Sequence, residues 1–226
     1  MCIRDRSYSN DSPNRVFQTW QDGYGYSADE FFPVAYNGNG TGAALGHDIW
    51  TASSEHYEGD IMETGIRYEG SQSAPFYFEG LSEITLVFEE PWDFTAYGAQ
   101  GLVVHFWGAP DNTATSLYLK INNSKIPYNG ESSDLLYPGW TTWYIALADL
   151  TGVTLTNVAS LTIGVESGQG LLCIDDIFLT PAEAEPAEPK ASGSSTVLIS
   201  DGSNRVLKYQ VDGLTLSLIH ISEPTR

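Results

Sequence analysis

Apolar and polar residues alternate along this chain, and a 3.6-residue rhythm is almost absent, so the pattern predicts strands rather than helices. From Gly101 onward, Leu102, Val104 and Phe106 point one way while Val103, His105 and Trp107 point the other. A loop at residues 108–112 follows, after which Leu117, Leu119 and Ile121 alternate with Tyr118, Lys120 and Asn122. Trp143, Ile145 and Leu147 share one face of a third strand, Leu161, Ile163 and Val165 mark a fourth, and residues 171–179 a fifth. Weaker strand signals lie at residues 17–20, 74–78 and 84–88. Short strands separated by turn residues predict an all-β fold, a two-sheet antiparallel β-sandwich of the jelly-roll type. A domain of about 175 residues buries roughly 70% of its unfolded surface, enough to stand without covalent staples.

The composition changes abruptly after Pro181, to Ala-Glu-Ala-Glu-Pro-Ala-Glu-Pro-Lys and then Ser-Gly-Ser-Ser. Residues 182–196 therefore read as a linker, charge-stiffened first and flexible afterwards. Beyond it, residues 197–200 and 206–209 flank Asp201-Gly202-Ser203-Asn204-Arg205, the pattern of a β-hairpin. The run Asn204-Arg205-Val206-Leu207-Lys208-Tyr209 resembles the opening of a β-propeller blade, so residues 197–215 are expected to be a fragment of a second domain.

The two ends carry a different message. Met1-Cys2-Ile3-Arg4-Asp5 can be encoded as ATGTGTATAAGAGAC, whose reverse complement in a shifted frame reads through Leu216-Ser217-Leu218-Ile219-His220-Ile221. Such an inverted repeat resembles translated transposase-adapter sequence, and Ser222 to Arg226 looks like more of it. Residues 1–6 and 216–226 are therefore expected to be artefact, residues 7–181 one domain, and the whole a fragment of a larger protein. Cys173 is then the one native cysteine, which leaves no intramolecular disulfide.

The chain has 226 residues, with 10 Lys and Arg against 29 Asp and Glu, a net charge of -19. Setting the ends aside removes three Arg, one Asp and one Glu, leaving 7 basic against 27 acidic residues and a net charge of -20. So acidic a chain repels phosphate backbones and offers no basic stripe, which argues against nucleic-acid binding. Membrane insertion is not expected, because no apolar run approaches the roughly 18 residues of a spanning helix. The four His are scattered without zinc-ligand spacing, and no phosphate loop or nucleophile elbow is present. The expected state is a monomer.

Four motifs carry a family resemblance: Phe17-Gln18-Thr19-Trp20-Gln21-Asp22-Gly23-Tyr24, Gly70-Ser71-Gln72-Ser73-Ala74-Pro75-Phe76-Tyr77-Phe78, Trp140-Thr141-Thr142-Trp143-Tyr144-Ile145-Ala146-Leu147 and Ile174-Asp175-Asp176-Ile177. Their order resembles a galactose-binding-like jelly-roll carbohydrate-binding module of secreted or cell-surface bacterial proteins. The resemblance implies a non-catalytic module whose partner is a polysaccharide or cell-surface glycan. It also implies a structural calcium ligated by Asp175 or Asp176 together with a Glu of the first strand. Arg6 stands where that Glu would be, which weakens such a site, since calcium wants six to eight oxygens.

Since Leu102, Val104, Phe106, Leu117, Leu119 and Ile145 belong to the core, His105, Trp107, Tyr118, Lys120 and Tyr144 are expected to share the opposite surface as a ligand-binding platform. Aromatic planes there would stack on the C–H faces of sugars. A structural or adhesion spacer is the alternative. An enzyme is the lesser one: Glu58-Gly59-Asp60-Ile61-Met62-Glu63 resembles the Glu-x-Asp-x-x-Glu strand of laminarinase-like retaining glycoside hydrolases, with Glu58 as nucleophile and Glu63 as acid/base. That reading needs the two carboxyls side by side on a bulged strand, about 5 Å apart.

Overall fold

The computed structural model describes residues 16–181 except 115, together with the backbone of three strands between residues 195 and 219. By contacts the chain divides into two units, Met1–Ala184 and Glu185–Arg226. The first opens with one helical turn, α1 (Val16–Thr19), where the alternation predicted a strand. Then follow β1 (Trp20–Gln21), β2 (Ala43–Leu45), β3 (Ala74–Glu79), β4 (Ser82–Trp92), β5 (Gly101–Gly108), β6 (Leu117–Ile121), β7 (Ser124–Pro127), β8 (Trp140–Ala146), β9 (Val158–Val165) and β10 (Gln169–Thr180). Among the described residues no helix is long and apolar enough to cross a membrane.

Ten strands make two five-stranded antiparallel sheets, ordered β1-β4-β9-β6-β7 and β2-β3-β10-β5-β8. The fold is an all-β jelly-roll sandwich. Alternation decides which side of each strand is apolar, and both apolar faces turn inward because only there can they leave water. Leu102, Val104, Phe106, Leu117, Leu119 and Ile145 are all buried, as expected. An aromatic cluster sits at their centre. Tyr128 meets Phe106 and Trp143 edge to face, with ring centroids 5.3 Å apart in both pairs. The Tyr128 hydroxyl reaches out of this cluster to donate to Asp134 at 2.6 Å.

The order of strands overturns one expectation. Although β5 and β6 are consecutive, they lie in different sheets: β5 pairs with β8 and β10, β6 with β7 and β9. Tyr118 and Lys120 therefore cannot share a surface with His105, Trp107 and Tyr144. Tyr118 lies flat on Gly164, its cross-strand partner, where a Cβ would come within 2.4 Å of the ring. A ring laid over a strand glycine restores the packing that the missing side chain gives up.

In the second unit, β11 (Ser195–Ser200), β12 (Val206–Asp212) and β13 (Thr215–Ile219) form an antiparallel sheet in that order. The first two pair as the predicted hairpin. Residues 182–194 of the linker, residues 1–6 and residues 220–226 lie outside the described residues, while β11 takes in the last two positions expected to be linker.

Candidate functional site

The outer face of the β2-β3-β10-β5-β8 sheet is partly covered by the long connection between β2 and β3. Asp22 anchors the preceding loop: one carboxylate oxygen accepts the N–H groups of Tyr24 and Gly25, and the other accepts that of Leu45 in β2 at 3.0 Å. Gly25, at φ +77°, passes so close to Tyr36 that a Cβ would lie 2.1 Å from its carbonyl oxygen, so only glycine fits. Tyr24 is thereby held on the surface, 77% exposed.

After β2 the chain turns over the sheet. The His47 N–H donates to Ile61 at 2.7 Å, which draws the far end of the connection back across β3. Asp48 accepts the N–H groups of Trp50 and Thr51, an Asx turn that presents the Trp50 indole to solvent, 69% exposed. His47 itself is buried, and the His56 ring stacks on it at 3.6 Å. The His47 Nδ1 lies 2.7 Å from the Tyr77 hydroxyl and its Nε2 3.2 Å from a Glu63 carboxylate oxygen. With the carboxylate facing Nε2, the neutral tautomer that fits carries its proton there, and Tyr77 donates to Nδ1.

These groups favour a neutral histidine. Burial, then the neighbouring His56, push His47 below its ordinary pKa of 6.5, and Glu63 only partly offsets them. Burial raises Glu63, but the N–H groups of Ile66 and Gly65 and the nearby His47 together hold it below its usual value. Burial foremost, then neighbouring acidic groups, lift the Tyr77 phenol to about 12. At neutral pH Tyr77 therefore keeps its proton and serves as a hydrogen-bonding group.

A groove opens between these loops. One part, of about 910 Å³, is lined by Tyr24, Tyr26, Trp50, His56 and Tyr77, among others. A second part, of about 610 Å³, shares Tyr24, His56 and Tyr77 and continues toward Glu79, Asp111 and Gln169. Its far wall is rigid: buried Asn112 accepts the Leu171 N–H at 2.7 Å and donates to the carbonyls of Leu135 and Leu171. The groove thus combines exposed aromatics with fixed polar groups on a stiff sheet, the makeup of a small-molecule or glycan site.

None of the expected platform residues lines it. His105 is buried beneath Tyr68, whose ring stacks on it at 3.7 Å, and its Nδ1 donates to the Asp176 carbonyl at 3.2 Å. Trp107 and Tyr144 are half-buried on the same outer face, and the Tyr144 ring packs over Gly101. On the opposite sheet, Tyr118 and Lys120 both donate to Glu83, while the Lys125 ammonium sits 3.8 Å from the Tyr118 ring and pairs with Glu166. Half-exposed ion pairs contribute little, so Lys120→Met should lower stability by less than about 1 kcal/mol in urea unfolding, since Tyr118 still satisfies Glu83. A loss several times larger would show that the network behaves as a buried one.

Asp175 and Asp176 lie at a β-bulge where the pairing of β10 with β5 shifts register. Both are buried. Asp175 accepts the Tyr68 N–H at 2.9 Å and the Asp176 N–H at 2.8 Å, one on each carboxylate oxygen. Among the described residues no group of three or more His, Cys, Asp or Glu side chains could hold a metal. The first-strand position expected to contribute a calcium ligand lies outside the described residues. The hydrolase arrangement is not formed: Glu58 sits exposed in a turn at φ +56°, and Glu63 occupies an isolated bridge with Ser73. The segment between them is loop, not a bulged strand.

Tyr24, Trp50, His47, His56 and Tyr77 were not singled out by the pattern. One signal was available, a lone tryptophan beside the polar run Thr51-Ala52-Ser53-Ser54, since loops carried on a rigid scaffold often carry function. The stacking of His47 on His56 has no sequence signature, because the spacing of nine fits neither a helix nor a strand.

No family model matches the sequence, and no curated protein does. Solved structures resemble it distantly. A family 11 carbohydrate-binding module from Clostridium thermocellum, in complex with a β-1,3-1,4-mixed-linked tetrasaccharide, is 10% identical over 76% of this chain and 94% of that one, with a TM-score of 0.44. A family 30 carbohydrate-binding module is 13% identical over 57% of this chain and 77% of that one, with a TM-score of 0.41. An exo-β-agarase is 15% identical over 56% of this chain, with a TM-score of 0.41, and the chain spans 22% of its length.

Proposed function

We propose that this chain is a carbohydrate-binding module that holds a polysaccharide in the groove over β2 and β3. The observation that carries the proposal is the groove itself, with Trp50 and Tyr24 exposed at its walls and Tyr77 and His56 within it. Solvent-facing aromatic planes bury the C–H faces of pyranose rings, while fixed hydroxyl and imidazole groups orient their hydroxyls. The hydrogen bond between Tyr77 and His47, with the Glu63 carboxylate 3.2 Å from the other ring nitrogen, favours one orientation of the Tyr77 hydroxyl and so limits what must be ordered when a sugar arrives.

Affinity electrophoresis through gels cast with different polysaccharides tests this. The protein should be retarded by at least one of them. Trp50→Ala should lose about 2 kcal/mol of binding, roughly 30-fold in affinity, with Tyr24→Ala somewhat less. Because both side chains are exposed, the melting temperature should hold. A folded protein retarded by no polysaccharide would instead favour a structural spacer, and retention untouched by either substitution would place the site elsewhere.

A further inference from the structure

The charge lining the groove, taken together with its aromatic walls, restricts which glycans can enter. This rests on the reading of the groove as a polysaccharide site. Among the described residues the Lys and Arg side chains are Arg67, Lys120 and Lys125. None lines the groove. Lys120 and Lys125 lie on the other sheet, paired with Glu83 and Glu166, and Arg67 donates to the Thr64 carbonyl. The groove carries carboxylates instead. Asp22, Asp48 and Glu63 are engaged with backbone N–H groups of their own loops. Glu55, Glu79 and Asp111 come from three separate segments, are all exposed, and all border the part of the groove that runs from Tyr77 toward Gln169, with Glu55 lying 3.7 Å from the His56 Nε2.

We infer that the ligand is an uncharged polysaccharide, and that Glu55, Glu79 and Asp111 act as specificity determinants that turn away sulfated and uronate-containing glycans. A chain lying along the aromatic walls would bring its substituents within a Debye length, about 8 Å at physiological salt, of fixed negative charge, with no lysine or arginine among the described residues lining the groove. Specificity is a difference between affinities, and like-charge repulsion lowers the wrong one without improving the right one. Neutral sugars lose nothing by this. Their hydroxyls can donate to the same carboxylates, and such charge-assisted bonds are stronger than neutral ones.

The test compares one neutral β-glucan with its own sulfated derivative, so that backbone and linkage stay constant, using the full chain in affinity electrophoresis. The wild-type protein should be retarded by the neutral polymer and bind the sulfated one at least tenfold more weakly, with the gap narrowing as salt rises from 20 to 500 mM. The triple variant Glu55→Gln, Glu79→Gln, Asp111→Asn should raise the ratio of sulfated to neutral affinity at least tenfold. Equal retention of both polymers by the wild-type protein overturns the inference while leaving the module reading intact. So does a discrimination that neither salt nor the triple variant changes, since it would be steric. The salt series needs no variant and decides the matter even if the triple variant fails to fold. Retention of no polysaccharide, neutral or charged, overturns the module reading and this inference with it, whereas retention of charged polysaccharides alone overturns only this inference.

Discussion

Replacing Trp143 by Ala should destabilise the sandwich by about 4 kcal/mol and lower its melting temperature by roughly 10 °C. Trp143 is among the largest side chains fully withdrawn from water, and it lies on the inner face of β8 opposite Val104. Its removal costs the transfer energy of an indole and leaves a cavity that β8, an edge strand locked in register with β5, and the facing sheet cannot close. The Tyr128 ring would lose one of its two edge-to-face partners, and the Tyr128–Asp134 hydrogen bond would no longer be held by packing on both sides. Trp143→Phe keeps an aromatic plane and should cost about half as much. Calorimetry and urea unfolding measure both. A loss below about 1 kcal/mol for the alanine variant would mean that the two inner faces are not packed together as described.

Asp175 should show a smaller effect with a distinctive dependence on pH. Its carboxylate ties the Tyr68 strap to β10 through backbone N–H groups, and the strap in turn covers His105. Asp175→Ala leaves one buried and one partly buried donor unpaired and should cost about 2 kcal/mol. Burial is the main cause that raises the carboxyl from 3.8 to about 6, against the opposing pull of the backbone N–H groups. Between those values the folded protein holds a proton that the unfolded chain has released. Stability attributable to this group is therefore complete below about pH 4, declines as pH rises toward 6, and stays level above it. Asp175→Asn, which cannot ionise, should remove that decline. The wild-type unfolding free energy minus that of the Asn variant should fall between pH 4 and 6. A difference that is level over this interval and rises only below about pH 4 would show that the N–H groups, not burial, govern the carboxyl.

Much of the fold was legible in the sequence because strand alternation is a local property. Leu102, Val104 and Phe106 announce an inner face whatever lies beside them, and the same holds for Leu161, Ile163 and Val165. Residues 17–20 were misread because four residues cannot separate a strand from a helical turn. The platform residues failed for a different reason. His105 and Trp107 do point away from the core, but outward is not the same as exposed, and Tyr68 arrives from about 37 positions away to cover His105. Tyr118 and Lys120 were grouped with them on the assumption that consecutive strands are neighbours, which a jelly roll violates whenever the chain crosses between sheets.

Asp175 and Asp176 show the same limit within a few residues. Their identity marks a special position in β10, and the bulge is there, with Asp176 at φ +40°. What the carboxylate of Asp175 binds is decided by a loop more than a hundred residues earlier in the chain.

The sequence by itself determined that this protein is built of strands, which side of most of them is apolar, and how strongly acidic it is. Those properties follow from residue type and from a period of two, which no distant contact can change. The tertiary structure alone decided which strands pair and which loops lie over which sheet, and hence that Tyr24, Trp50, His56 and Tyr77 face one groove. That placement depends on crossings between sheets and on backbone hydrogen bonds such as His47 to Ile61, whose partners lie too far apart in sequence for any local pattern to record them.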